Sequence, residues 1–270
     1  HHLSDSLDYL NNLSNNKSEF NKVLKSAKNP LIILGTSAIN NDHGKKILET
    51  AGLIAKKIQK NKKTNPLNIL NQDISRVGAL DLKFYNKKFD NDYNKQLKKH
   101  IDKTKPVVFL MGLDEINFST FENAFVVYLG HHGDVSASIA DIILPTPAYT
   151  EKSSTYMNIE GRVIQTTKCH NPIGEAKEEW KIFRVLSDLF EKNLNFNNLG
   201  ELRNELTSTY GQFALLNEVN SIGEITFAKN NKIENIKIKY NIENFYMTDS
   251  ISRSSETMAK CTKDILNKAA

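Results

Sequence analysis

Cysteine is almost absent from this chain, which has only two among its 270 residues, Cys169 and Cys261. Two distant cysteines form neither a disulfide framework nor a metal-binding spacing. Because iron–sulfur clusters are normally held by several thiolates, the chain cannot hold such a cluster alone. The favoured interpretation of Cys169 is a small half-buried thiol, with a lone ligand or nucleophile as the alternative.

Long apolar runs are also missing. None approaches the roughly 20 residues that span a bilayer, so the chain is not expected to cross a membrane itself, although it could sit on a membrane complex. Hydrophobic residues make up 39% and charged residues 25%, the balance of a globular protein. The net charge is +5, but the lysines are scattered and no aromatic residues interleave with them, which disfavours nucleic-acid binding.

The common nucleotide-binding and hydrolase motifs are missing as well. The chain has neither Gly-x-Gly-x-x-Gly nor Gly-x-x-x-x-Gly-Lys-Ser/Thr, and no Gly-x-Ser-x-Gly elbow. The segment Gly-Thr-Ser-Ala-Ile at 35–39 lies between a predicted strand and a predicted helix, where a helix N-terminus can meet a phosphate. An ordinary tight turn is the favoured interpretation of this segment.

Short apolar runs recur along the chain, and most end at a glycine or a proline. They predict strands at 30–34, 67–70, 106–111, 125–129 and 142–144. Between the first two, Ile47, Ile54 and Ile58 share one face of a predicted helix. Successive strands with helical or loop connections predict an α/β fold with a mostly parallel sheet and helices on both faces.

The remaining sequence predicts further helices and a smaller C-terminal part. Helices are expected at 19–27, 93–101, 180–190, 201–215 and 254–266, strands at 225–228 and 236–240, and irregular structure at 71–94. We therefore predict an N-terminal extension over 1–29, an α/β domain over 30–192, and a linker with a small α+β extension over 193–270.

The polar segment after the strand at 142–144 has the layout of a ligand site, because ligands of α/β proteins usually lie beyond the carboxyl ends of the strands. Glu151 and Glu160 suggest an acid/base pair, but their separation in sequence does not fix their distance. Arg162 offers a planar guanidinium that fits either carboxylate. A buried hydrogen-bonded network with a structural role is the favoured interpretation.

Two further clusters carry side chains capable of chemistry. His131 and His132, with Asp134, suggest a metal, but neighbouring residues of an extended chain point in opposite directions, which disfavours a shared ion. Asp114 and Glu115 follow the strand at 106–111 and would repel an anionic cofactor. No catalytic, cofactor-binding or metal-binding residue is assigned from the sequence.

Several motifs in register closely resemble the large iron–sulfur subunit of respiratory complex I, NADH:ubiquinone oxidoreductase. The motifs lie at 67–70, 77–81, 128–134, 140–145, 149–152, 156–162, 172–180 and 245–259. The wider superfamily is the molybdopterin oxidoreductases, which includes formate dehydrogenases and nitrate reductases. Tyr-Thr-Glu-Lys at 149–152 and Asn-Ile-Glu-Gly-Arg at 158–162 are more similar to the complex I branch.

The resemblance implies a molybdopterin-oxidoreductase-like fold without a molybdenum cofactor, and a non-catalytic structural role in the peripheral arm of complex I. The family binds its clusters through a cysteine-rich N-terminal region that these 270 residues lack. No cofactor is therefore expected in this chain. The expected partners are a cluster-bearing N-terminal half and other peripheral-arm subunits. A separately encoded C-terminal half is preferred over an incomplete subunit.

The expected location is the matrix side of the mitochondrial inner membrane, with the cytoplasmic face of a bacterial plasma membrane as the alternative. Two other function classes stay open. A fragment of an active molybdopterin-dependent oxidoreductase would use the polar segment after Leu144 to contact cofactor or substrate. It would need a molybdenum ligand from another chain, because the resemblance places Cys169 in an unsuitable region. A free-standing binding module is the third class.

Overall fold

The computed structural model describes residues 2–4, 6–41, 43–61, 65–84, 93–219 and 242–266. The chain forms two compact units. Residues 1–83, 156–164 and 214–241 belong to the first unit, and residues 84–155, 165–213 and 242–270 belong to the second. The strands predicted at 225–228 and 236–240 lie outside the described residues.

Helices and parallel strands alternate along most of the described chain. In order, the elements are α1 (Asp8–Ser14), α2 (Phe20–Ser26), β1 (Ile32–Gly35), α3 (Thr36–Ile39), α4 (Gly44–Ile58), β2 (Leu67–Leu70), α5 (Arg76–Asp81), α6 (Tyr93–Thr104), β3 (Val107–Met111), β4 (Phe125–Gly130), α7 (Val135–Ser138), β5 (Ile142–Pro145), β6 (Thr155–Met157), β7 (Val163–Gln165), α8 (Glu179–Leu189), α9 (Leu199–Thr209), α10 (Ser250–Arg253) and α11 (Glu256–Cys261). Short 3-10 turns lie at Phe118–Thr120 and Gly211–Ala214, and a π turn at Thr262–Leu266.

The first unit is built around α4 and a two-stranded parallel sheet. In that sheet β1 pairs with β2, with Ile32 opposite Leu67. The apolar face predicted for α4 is confirmed, since Ile47, Ile54 and Ile58 are all at most 5% exposed. Ile54 and Ile58 pack with Leu13 of α1, and the burial of these aliphatic side chains is the main stabilising contribution.

The second unit contains a three-stranded parallel sheet with β4 between β3 and β5. One face of this sheet is covered by α6, whose Ile101 packs with Leu110 and Val126. On the opposite face, Phe183 of α8 packs against Phe109 with ring centroids 5.6 Å apart. Helices on both faces of a parallel sheet confirm the predicted α/β class.

Some predicted boundaries are wrong. The segment 71–94, predicted to be irregular, contains α5, whose six residues are too few to show a helical period. The helix predicted at 201–215 begins earlier, because Asn198 caps α9 by accepting a hydrogen bond from the Glu201 amide at 2.9 Å, and ends at Thr209. No helix in the part of the chain that the structure describes is long and apolar enough to cross a membrane.

Candidate functional site

The carboxyl ends of β3, β4 and β5 gather most of the polar residues that the sequence indicated. Parallel strands end at the same edge of a sheet, so the loops that follow them lie side by side. Hydrogen bonds between backbone groups hold these loops to the sheet, from the Gly112 amide to the Leu129 carbonyl at 2.7 Å and from the Thr146 amide to the Gly130 carbonyl at 2.9 Å. This edge of the second unit is the candidate site.

Tyr128 links two of the loops from inside the sheet. Its side chain is almost completely buried, and the residue is 2% exposed. The phenolic oxygen donates to Asp114 Oδ1 at 2.8 Å and lies 3.1 Å from the carbonyl oxygen of His132. Burial raises the pKa of Tyr128 far above its usual value, and the hydrogen bond to the Asp114 carboxylate raises it further. Tyr128 is therefore a structural donor and not an acid near neutral pH.

Arg253, from the C-terminal part of the second unit, reaches the same edge. Its Nε donates to Asp134 Oδ2 at 2.6 Å, and its Nη1 donates to Glu115 Oε1 at 3.3 Å. Burial alone would lower the pKa of Arg253, but the hydrogen bond and charge of Asp134 outweigh it, so the net pKa is raised. A guanidinium and two carboxylates thus neutralise one another at this edge.

The adjacent histidines do not converge on a metal-ion position. His131 Nδ1 and His132 Nδ1 lie 2.6 Å apart, with the rings edge to face. Burial lowers the pKa of His131, and the neighbouring His132 and Lys152 lower it further. Across the described ranges, no group of three or more histidine, cysteine, aspartate or glutamate side chains is arranged to hold a metal ion.

The segment after β5 is tied together by local contacts. The Glu151 carboxylate accepts from the Ala148 amide at 3.0 Å, and its other oxygen lies 4.0 Å from His170 Nε2. Lys152 donates to Glu179 of α8 at 2.5 Å, and both side chains are 22% exposed. Glu151 and Lys152 thus hold this segment in place, as the structural interpretation predicts.

The buried network expected around Arg162 and Glu160 is wrong. Asn158 Oδ1 accepts from the amides of Glu160 and Arg162 at 2.9 and 3.0 Å, and Gly161 has φ +78°, which together form a tight turn between β6 and β7. This turn leaves the Arg162 and Glu160 side chains 36% and 53% exposed, with Arg162 Nε 3.5 Å from Glu160 Oε2. Glu151 and Glu160 belong to different units, each with its own local partners.

Two other sequence candidates have ordinary surroundings. Gly35 ends β1, and the helix after it, α3, is a single turn of four residues, as the tight-turn interpretation predicts. The expectation of a half-buried Cys169 is wrong, because its side chain is exposed. Its backbone amide donates a hydrogen bond to the Thr150 carbonyl at 2.8 Å, which ties the main chain down and leaves the thiol facing solvent.

The sequence did not reveal that Tyr128 and Arg253 belong to this site. Tyr128 sits inside an apolar strand, where an aromatic ring is expected for packing alone. A signal existed near Arg253, since Asp249 and Ser252 have the spacing of a capping box at the start of a helix. That spacing predicts α10, but not the contact that its last residue makes.

Comparison with protein families gives two matches in succession along the chain. Residues 1–189 match a family model described as molybdopterin oxidoreductase. Residues 218–261 match a model described as the C-terminal part of NADH-ubiquinone oxidoreductase G.

Curated relatives share similarity along most of the chain. The NADH-ubiquinone oxidoreductase 75 kDa subunit of Reclinomonas americana is 37% identical over 269 residues, which cover 96% of this chain and 38% of the relative. The mitochondrial 78 kDa subunit of Candida albicans is 41% identical, covering 88% of this chain and 33% of the relative. An NADH-quinone oxidoreductase subunit of Rickettsia bellii is 35% identical, covering 97% and 37%. The chain thus spans little more than a third of the length of these relatives.

Molybdopterin carries a phosphate, so the fit of such a group can be tested against the side chains at the candidate site. The carboxylates of Asp114, Glu115 and Asp134 face this edge and would repel a phosphate. Arg253, which has the geometry to bind one, already donates to two of them. The described residues at this edge do not fit a phosphate-bearing pterin.

Proposed function

The chain belongs to the molybdopterin oxidoreductase family, and we propose that it is a non-catalytic structural part of the peripheral arm of a respiratory NADH:ubiquinone oxidoreductase. The names of the relatives and the family match near the C-terminus support this assignment within the family. Electrons would pass through a neighbouring polypeptide, and this chain would support that neighbour.

One structural observation carries the non-catalytic part of the proposal. At the sheet edge where α/β proteins usually bind ligands, the Asp134 carboxylate is held by Arg253 of the same chain at 2.6 Å. A catalytic pterin site needs free cationic or neutral donors for phosphate. Here the charges that face the edge are consumed by contacts within the chain or are of the wrong sign.

The proposed partner follows from the share of the relatives that the chain covers. Between 33% and 38% of the length of each relative named above is matched, and the described residues carry no cluster-binding arrangement of cysteines. We infer that a polypeptide equivalent to the rest of those relatives carries the iron–sulfur clusters and binds this chain. The proposed location is the matrix side of the mitochondrial inner membrane, or the cytoplasmic face of a bacterial plasma membrane.

Co-purification tests the assignment. A tagged chain isolated from its native cells in mild detergent should elute with a large assembly that contains iron–sulfur clusters and oxidises NADH. Depletion of the chain should lower the amount of assembled peripheral arm and the NADH:ubiquinone activity together. The cluster spectra of whatever arm remains assembled should be unchanged.

Metal analysis separates the alternatives. The isolated chain should hold neither molybdenum nor iron in stoichiometric amount. Stoichiometric molybdenum with a fluorescent pterin extract would overturn the proposal in favour of an active molybdopterin enzyme. Elution from native cells as a lone monomer would overturn it in favour of a free-standing binding module.

A further inference from the structure

We propose that residues 242–261 form a C-terminal strap that fastens the loops at the carboxyl end of the second unit's sheet, with the Arg253 guanidinium in the position where α/β proteins hold a ligand. The strap belongs to the second unit, like the loops that it contacts. This strap goes beyond a general structural role, because it assigns one residue to the closure of one crevice.

The guanidinium of Arg253 joins three parts of the second unit. It donates to Asp134, which follows β4, and to Glu115, which follows β3. Its Nη1 also lies 3.3 Å from the carbonyl of Met247 in the strap itself, to which it donates. The two carboxylates precede Arg253 by 119 and 138 residues, so these contacts are long-range and cannot form within an isolated C-terminal segment.

The strap presents Arg253 from an ordered turn. Asp249 Oδ1 accepts from the amides of Ile251 and Ser252 at 2.9 and 3.0 Å, and Ser252 Oγ accepts from the Asp249 amide at 3.0 Å. This reciprocal capping box fixes α10, which ends at Arg253. A side chain on a fixed turn loses less conformational entropy when it binds, which favours the contact.

Asp134 depends on this guanidinium for compensation of its charge. Its side chain is only 14% exposed, while its other oxygen accepts from the Val135 amide at 2.8 Å and caps α7. Glu115 and Asp114 add negative charge to the same edge. Removal of one partner from a half-buried ion pair leaves the other charge poorly solvated, and the loops that carry it are then expected to loosen.

The strap also joins the two parts of the chain that separate family models match. Asp134 and Glu115 lie within residues 1–189, and Arg253 lies within residues 218–261. The geometry of the strap stands without the proposed function. Its interpretation as an intrachain replacement for a bound phosphate group rests on that proposal.

Hydrogen exchange of the full chain tests the strap. Arg253→Gln should raise amide exchange roughly tenfold in residues 112–117, 131–136 and 245–254, the effect of losing one charge-assisted hydrogen-bonded contact. Exchange in α4 should not change. Arg184→Gln is the matched control, because Arg184 is similarly exposed, 23% against 25%, and bonds to Asp188 within α8. The control should leave all three segments unchanged.

Chemical rescue adds a second readout. In Arg253→Ala, millimolar guanidinium should restore slow exchange in the three segments, whereas sodium chloride at the same ionic strength should not. Unchanged exchange at 112–117 and 131–136 in Arg253→Gln would overturn the strap, as would equal acceleration in α4 or equal rescue by sodium chloride. If Arg253→Gln does not fold, Arg253→Lys, which keeps the charge but not the planar fork, should show the same local pattern at smaller amplitude. Wild-type exchange in that variant would count against the proposal, and the metal content tested above does not depend on this result.

Discussion

The ring of Tyr128 lies over Gly130, two residues further along the same face of β4. A Cβ built on Gly130 would lie 2.1 Å from the phenolic oxygen of Tyr128, far inside any contact distance. Because Tyr128 is 2% exposed, its ring has no free space into which it can turn. Gly130 is thus required for the room it leaves to a side chain, and that room lets Tyr128 reach Asp114.

Gly130→Ala should therefore destabilise the protein by about 1–3 kcal/mol, the usual effect of overpacking a close-packed site. Urea denaturation followed by circular dichroism would measure the change. Gly133→Ala is the matched control, since no atom lies within 4 Å of a Cβ built there and its effect should be small. Equal midpoints for the two variants would show that Tyr128 yields easily.

Tyr128 should make the folded state sensitive to alkaline pH. Its pKa is raised in the folded state above the ordinary value of 10.0, so the unfolded chain loses the phenolic proton first. The stabilising contribution is complete below pH 10 and is lost as the pH rises from there towards the folded-state pKa. Absorbance at the tyrosinate band should show one phenol fewer titrating near pH 10 in the folded protein than in the unfolded one. Tyr128→Phe should remove that difference, and a normal titration of Tyr128 would contradict its burial.

The Lys152–Glu179 pair should contribute measurably to stability. Its atoms are 2.5 Å apart and both side chains are 22% exposed, so solvent screens the pair only partly. Glu179→Gln should cost about 1–3 kcal/mol, and a double-mutant cycle with Lys152→Met should show favourable coupling. The Lys177–Glu175 pair, at 3.9 Å and with 60% and 94% exposure, is the control and should show coupling near zero. Equal coupling in both pairs would argue against the packing of the polar segment on α8.

Arg162→Ala should have a small effect, less than about 1 kcal/mol, because the pair with Glu160 is largely exposed. A buried network would have predicted a larger loss. Val163→Ala, at the next position, removes methyl groups from a side chain that is 0% exposed and should cost roughly 2 kcal/mol. Thermal denaturation of the two variants decides between the two interpretations, since a larger loss for Arg162→Ala would restore the network.

Much of the fold could be predicted because its signals are local. The apolar run at 125–129 and its closing glycine predict β4, and the spacing of Ile47, Ile54 and Ile58 predicts α4. Short elements escaped this approach. The helices α5 and α10 have six and four residues, which is less than two helical turns and carries no visible period.

The candidate site was predicted less well, since its contacts depend on distance in space. Asp114, Glu115 and Asp134 were noted as polar groups after strands, but their cationic partner was not recognised. Arg162 was assigned a buried partner on the strength of its chemistry alone. The structure places it on an exposed turn, where Glu160 is near but solvent competes for both charges.

The sequence alone determined the class of this protein, because strand and helix periods and ordered motifs depend on neighbours within a few residues. It also determined that the two cysteines are too few to hold a cluster on their own. Only the tertiary structure decided that Arg253 neutralises Asp134, since 119 residues separate them and their contact depends on how the parallel strands end together. Long-range ion pairs leave no periodic trace in a sequence, and their position is fixed only when the sheet and the C-terminal strap pack.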